Sequence, residues 1–141
     1  MVRKWMVGAG VIGCLGISAA GGSSLAAESD LARVTATAPR ARVGQPATVE
    51  VVFKVAEGSH ISPDAPLSLK FSGPETVRID RTTLHYRDGS TAGASGPVFQ
   101  NPVTPLAAGT HDVEIDASYY VCTAELCNRQ TKTLHVKLTA K

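Results

Sequence analysis

Residues 113–122 alternate strictly between apolar and polar side chains, and no other pattern in this 141-residue chain limits its fold as strongly. The apolar set is Val113, Ile115, Ala117, Tyr119 and Val121, and the polar set between them ends in Tyr120 and Cys122. A period of two places each set on its own face of a β-strand and excludes a helix. We therefore expect a strand with Tyr119 directed into a core and Tyr120 directed outward.

Shorter runs of the same kind occur at residues 49–55, 67–71 and 134–138, and another begins at Val77 and Ile79 and extends toward Tyr86. Turn-forming Gly and Pro residues separate the runs, and no segment has apolar residues at sustained helical spacing. This pattern predicts an all-β protein, an immunoglobulin-like antiparallel β-sandwich. Residues 87–101 are expected to form a mobile loop within one domain, because residues 102–141 are too few for a second core.

Residues 1–27 have the order of an export signal. Arg3 and Lys4 precede an uncharged run over residues 5–20, which is short against the roughly 20 residues of a spanning helix. Small residues follow up to Ala27. We expect cleavage there and a mature domain at residues 28–141, located in a bacterial periplasm or secreted. The alternative is a lipoprotein, because residues 11–14 resemble a lipoprotein box that would anchor the chain through Cys14.

Without the signal, 12 basic residues balance 12 acidic ones. No basic patch is interleaved with aromatic residues, so we expect no nucleic-acid partner. The histidines occur singly, without the spacing of metal ligands, and none flanks a cysteine in the sequence. They are His60, His85, His111 and His135. We expect solvated or locally bonded imidazoles, no metal and no cofactor.

The mature domain keeps two cysteines, Cys122 and Cys127, which in an exported protein most simply form a pair. Parity puts Cys122 on the polar face at a strand end, and a returning strand that begins near Gln130 would let the two sulfurs meet across a hairpin. Closing this loop of six residues is worth only about 2 kcal/mol of denatured-state entropy. The residues leave two functions open: a structural disulfide, or an exposed pair that exchanges with another thiolate. Arg129 and Lys132 would favour a thiolate at Cys127, and Glu125 would oppose it.

The run from Gly109-Thr110-His111 through Tyr120, Cys122, Cys127 and Thr133 resembles the DsbD N-terminal-like family, periplasmic domains of thiol:disulfide interchange proteins. The resemblance implies an immunoglobulin-like fold with Cys122 and Cys127 as the redox pair, Cys127 being the sulfur that forms mixed disulfides. It further implies a membrane thiol reductase as electron donor and periplasmic thioredoxin-like proteins as acceptors.

The chain departs from that family in three places. Four residues separate the cysteines where the best-known members have five, and Asn128-Arg129-Gln130 replaces a Tyr-Pro-Pro-like segment. The loop that would shield the disulfide offers only the aromatic ring of Tyr86. We expect a monomeric thiol–disulfide exchange domain that transfers electrons between separate proteins. The alternative is a non-catalytic binding or assembly module whose disulfide is structural.

Overall fold

The structure, a computed structural model, describes residues 31–90 and 96–141. It is built of strands along which buried and exposed side chains alternate. These residues form a β-sandwich of two antiparallel sheets, and the predicted all-β, immunoglobulin-like class is confirmed. The expected signal at residues 1–27 and the alternative anchor at Cys14 lie outside the described residues. In the described ranges, no helix has the length and hydropathy required to span a bilayer.

The two sheets share the strands unequally. The strands are β1 (Ala32–Thr37), β2 (Ala47–Val55), β3 (His60–Ile61), β4 (Ser68–Ser72), β5 (Val77–Ile79), β6 (Thr83–His85), β7 (Val98–Pro105), β8 (Gly109–Cys122) and β9 (Cys127–Ala140). One sheet has the order β1-β2-β7-β5. In the other sheet β9 pairs with one edge of β8, while β3 and β4 pair in succession with its opposite edge and β6 pairs with β4.

The core lies between the sheets, because each strand directs its apolar set inward. Phe53 of β2 and Tyr119 of β8 meet edge to face across it, with ring centroids 5.0 Å apart. Phe53 also contacts Phe99 of β7 edge to face, at a centroid distance of 5.7 Å. The predicted directions of the two adjacent tyrosines are confirmed, since Tyr119 is fully buried and Tyr120 is half-exposed on the other face.

The run from Val77 toward Tyr86 is two strands in different sheets, and its prediction as one strand is wrong. β5 pairs with β7 in the four-stranded sheet, whereas β6 pairs with β4 in the five-stranded sheet. The chain crosses between the sheets at residues 80–82, where Asn101 Nδ2 donates to the Arg81 carbonyl over 2.8 Å. Both strands direct an apolar residue inward, so periodicity does not reveal the crossing.

Two further boundaries differ from the sequence-based expectation. Residues 98–101, predicted as part of a loop, begin β7, which lies between β2 and β5. Pro102, Pro105 and the buried Asn101 lower the strand propensity there, and pairing with β2 overrides it. β9 begins at Cys127 and not near Gln130. The sequence does not reveal this start, because residues 128–133 are mostly exposed polar residues and carry no apolar alternation.

Candidate functional site

Cys122 and Cys127 lie at the end of the β8–β9 hairpin. Its strands pair residue for residue, from Gly109 with Ala140 to Cys122 with Cys127. The turn carries its own hydrogen bonds. The Thr123 amide donates to the Leu126 carbonyl over 2.8 Å, and the Thr123 hydroxyl accepts from the amides of Glu125 and Leu126 at 3.3 and 3.4 Å. The ladder and the turn therefore hold the two cysteines opposite each other without help from a disulfide.

Cys122 and Cys127 form a disulfide, as predicted, and their Cα atoms are 4.0 Å apart. Hydrogen-bonded and non-hydrogen-bonded pairs alternate along an antiparallel ladder. Because the adjacent Thr123–Leu126 pair is hydrogen-bonded, the cysteines occupy a non-hydrogen-bonded pair, the position in which opposite side chains are closest. The backbone N–H and C=O of Cys122 consequently point to its other neighbour, β3.

The two halves of the disulfide differ in exposure. Cys122 is 3% exposed, whereas Cys127 is exposed. The expectation of an exposed pair is thus confirmed for Cys127 and wrong for Cys122. Cys122 does lie on the polar face of β8, but β3 flanks it on one side and Cys127 on the other. A thiolate in solution can reach Cys127 more readily than Cys122.

β3 places a histidine beside the buried cysteine. His60 and Cys122 are directly opposite in the β3–β8 pair. Directly opposite side chains project from the same face, with Cβ atoms about 4.5–5.5 Å apart. The row Cys127, Cys122, His60 therefore crosses three strands, and His60 itself is exposed. Sequence reasoning missed His60, because a two-residue strand has no alternation and only tertiary pairing joins it to β8.

Three charged residues were expected to influence a thiolate at Cys127. Arg129 lies two residues along β9, on the same face, and its Nε donates to Ser118 Oγ over 3.4 Å. Lys132 pairs with Ala117, roughly 16 Å along the strand from Cys127. That separation exceeds the screening length of about 8 Å in physiological salt, so the expected contribution of Lys132 is wrong. Glu125 is exposed in the turn.

Tyr119 and Tyr86 are both packed side chains. Burial raises the pKa of the Tyr119 phenol, and its hydroxyl donates to Gln130 Oε1 over 3.3 Å. Tyr86, the one aromatic residue available to shield the disulfide, packs against the core at the start of a 3-10 turn. Both aromatic rings therefore pack against the core of the sandwich.

The other histidines have local partners, as expected. His111 is 8% exposed; its Nε2 donates to the Ala107 carbonyl over 2.7 Å, and its Nδ1 lies 2.9 Å from the Thr76 hydroxyl. His135 Nδ1 lies 3.0 Å from Asp112 Oδ2, and this hydrogen bond lowers the pKa of the Asp112 carboxyl. Among the described residues, no cluster of three or more His, Cys, Asp or Glu is placed to hold a metal ion.

Comparison with known proteins gives little beyond these observations. No protein-family model matches the chain, and no curated protein matches it. Among solved structures, it is similar to AggA, the major subunit of aggregative adherence fimbriae type I from Escherichia coli, at 10% identity. The match covers 78% of this chain and 95% of that chain, with a TM-score of 0.35.

Proposed function

We propose that this protein is an exported thiol–disulfide exchange domain that passes reducing equivalents through Cys122 and Cys127 in the periplasm. The observation that carries the proposal is the unequal exposure of the two cysteines at the end of a hairpin that its own ladder already holds. Exchange requires that one sulfur be accessible to an incoming thiolate. A structural role would contribute little, because the short loop limits the stabilisation to about 2 kcal/mol.

The resemblance of residues 109–133 to the DsbD N-terminal-like family supports the same assignment. It makes the later cysteine the one that forms mixed disulfides, and here that residue is the exposed Cys127. The donor would be a membrane thiol reductase, and the acceptors would be periplasmic thioredoxin-like proteins.

The exchange takes place in two stages. A donor thiolate attacks Cys127 Sγ, so that a mixed disulfide forms and Cys122 leaves as a thiolate. The second donor thiolate then attacks the mixed disulfide, which leaves the donor oxidised and both cysteines reduced. In the transfer to the acceptor, the Cys127 thiolate attacks the acceptor disulfide and forms a mixed disulfide. Cys122 resolves it, and the acceptor departs with two electrons and two protons.

His60 has a place in this cycle. When Cys122 leaves as a thiolate, it does so beside the imidazole of its cross-strand neighbour. A neighbouring histidinium stabilises a thiolate and lowers its pKa, and a thiol of lower pKa is the faster leaving group. His60 is therefore proposed to assist the breaking of the Cys122–Cys127 bond and the later return of a proton to Cys122.

A trapping experiment tests the function. Replacing Cys122 by Ala should leave Cys127 able to attack an acceptor disulfide but unable to be released, so a Cys127-linked complex should be visible on a non-reducing gel. Cys127→Ala should form no such complex. The exchange proposal fails if Cys122→Ala traps nothing in cells and the double variant behaves like wild type.

The near-complete burial of Cys122 favours a second candidate, a binding or assembly module whose disulfide is structural. The reduction potential separates the two. Structural disulfides in secreted proteins lie below about −300 mV, and exchanging ones lie above it. Equilibration of the oxidised protein with glutathione or dithiothreitol buffers gives that potential directly.

A further inference from the structure

A polar groove lies on the same sheet face as the disulfide and begins next to it. It has a volume of about 400 Å³, with β4 on one side, β9 on the other and the small residues Ala117 and Ser118 of β8 among its lining. Arg129 lines the groove two residues after Cys127, which is about 7 Å along the strand. A chain segment bound in the groove would therefore lie next to the exposed sulfur.

The charge of the groove is positive. Lys70 and Arg129 line it on this face against one acid, Asp116, whose Oδ1 accepts from the Thr133 hydroxyl over 2.8 Å, whereas Lys132 pairs with the inward-facing Ala117 and projects from the other face. Further along the same face, toward the Gly109 end of β8, the acids Glu114 and Asp112 lie opposite His135 and Lys137 of β9, with Lys137 Nζ 3.5 Å from Asp112 Oδ1. The groove itself thus keeps a net positive charge, which would attract an acidic segment.

An apolar side chain stands at the other side of Cys127. Leu126 is 52% exposed in the turn and is the most exposed of three exposed large hydrophobic residues in the described chain. Such a side chain beside a charged groove can supply the apolar contact of a protein interface whose rim is polar.

From these features we infer that Leu126 and the groove form a docking surface for an acidic segment of a partner protein that flanks the partner's exchanging cysteine. The inference rests on the proposed function, which it extends by giving the chemistry of the partner. The acidic side chains would lie against Lys70 and Arg129, and an apolar residue of the segment would contact Leu126.

Two blocked peptides test the surface with the disulfide intact. One is Asp-Glu-Leu-Cys-Asp-Glu with its cysteine S-methylated, and the other carries Lys at the four acidic positions. Backbone amide NMR titration should show the acidic peptide binding at least about tenfold more tightly, with shifts at β4, the turn and the start of β9. Equal affinities, or shifts confined to the other sheet, would overturn the docking surface.

Charge reversal supplies a matched control. Lys70→Glu with Arg129→Glu should remove or reverse the preference for the acidic peptide. Arg33→Glu with Lys54→Glu makes the same change in net charge at an exposed cross-strand pair on the other sheet, and it should preserve the preference. Leu126→Ser should weaken both peptides alike. If both double variants behave alike, the attraction is general to the protein and the groove is not its site.

The peptides contain no free thiol, so their binding is independent of exchange. Peptide binding with the expected preference but no trapped complex from Cys122→Ala would refute the proposed function and retain the surface. A trapped complex without a charge preference would retain the function and refute the surface.

Discussion

At the residue scale, the proposed exchange would give the two cysteines separate tasks, because their neighbours differ. Cys127 is exposed and has Arg129 two residues away on its face, so its surroundings govern the approach of another thiolate. Cys122 is buried beside His60, so its surroundings govern its departure and return. Exchange rates depend on both the attacking and the leaving thiol. Substitutions around the two residues should consequently affect different steps.

His60→Ala should slow the reduction of the disulfide by a small dithiol several-fold, by less than about tenfold, since a leaving thiol of higher pKa departs more slowly and the rate changes by less than the full tenfold per pKa unit. Stopped-flow measurement at several pH values tests this. His85→Ala, which removes another exposed histidine of the same sheet, is the control. Equal rates for the two variants at every pH would contradict the role of His60.

Asp88→Asn should lower the stability of the protein at neutral pH. The pKa of Asp88 is lowered chiefly by the hydrogen bond from the His85 amide at 2.8 Å and next by Arg81 at 2.7 Å. A lowered carboxyl pKa stabilises the folded state above the unfolded value of about 3.9, and this stabilisation is lost as the pH falls through the folded pKa. Urea midpoints should therefore differ most above pH 5 and converge only when the pH falls below the lowered pKa of the folded state. Asp80→Asn, in an exposed ion pair with Arg78, should change little at any pH.

At the element scale, the β8–β9 hairpin accounts for what the sequence could and could not predict about the site. The alternation over β8 arises because the opposite sheet covers one of its faces, so that strand and the direction of Tyr119 were predictable. The first half of β9 is mostly exposed, and no burial imposes a pattern on residues 128–133. The pairing of Cys122 with Cys127 was still predictable, because a hairpin connects them.

Reduction of the disulfide should lower the free energy of unfolding by about 2 kcal/mol or less, because the bond closes a loop of only six residues within a complete ladder. Urea unfolding followed by circular dichroism, with and without dithiothreitol, measures the difference. The Cys122→Ala, Cys127→Ala double variant separates the effect of the bond from that of the reductant. An unfolded reduced protein at room temperature would favour the structural alternative.

At the scale of the whole molecule, the site depends on segments that are distant in the sequence. β3, β8, the turn and β9 each supply one part; the last three follow one another in the chain, whereas β3 lies nearly 50 residues before them. The all-β class follows from local alternation, but the place of His60 and the groove between β4 and β9 follow from the pairing of both strands with β8. Local patterns carry no information on such pairing, so the place of His60 and the groove could not be predicted from the sequence.

Asn101→Ala should destabilise the sandwich by about 1–3 kcal/mol, the usual penalty for a buried polar group that loses its partner. Asn101 is fully buried, and its side-chain amide satisfies the Arg81 carbonyl where the chain crosses between the sheets. Gln100→Ala, at the exposed neighbouring position, is the control and should change the urea midpoint little. Equal effects of the two substitutions would show that the crossing does not depend on this hydrogen bond.

The outer edge of β9 has a consequence for self-association. In the described residues β9 pairs only with β8 until Thr139, where residues 41–43 join it. An unpaired strand edge is a template for a second chain, and basic side chains along it oppose such pairing. Arg129, Lys132 and Lys137 are distributed along this edge. Two copies aligned edge to edge would bring these cations together, and their repulsion should keep the protein from polymerising through its sheets. Arg129 and Lys132 also belong to the polar run 128–133, in which the sequence shows no strand pattern.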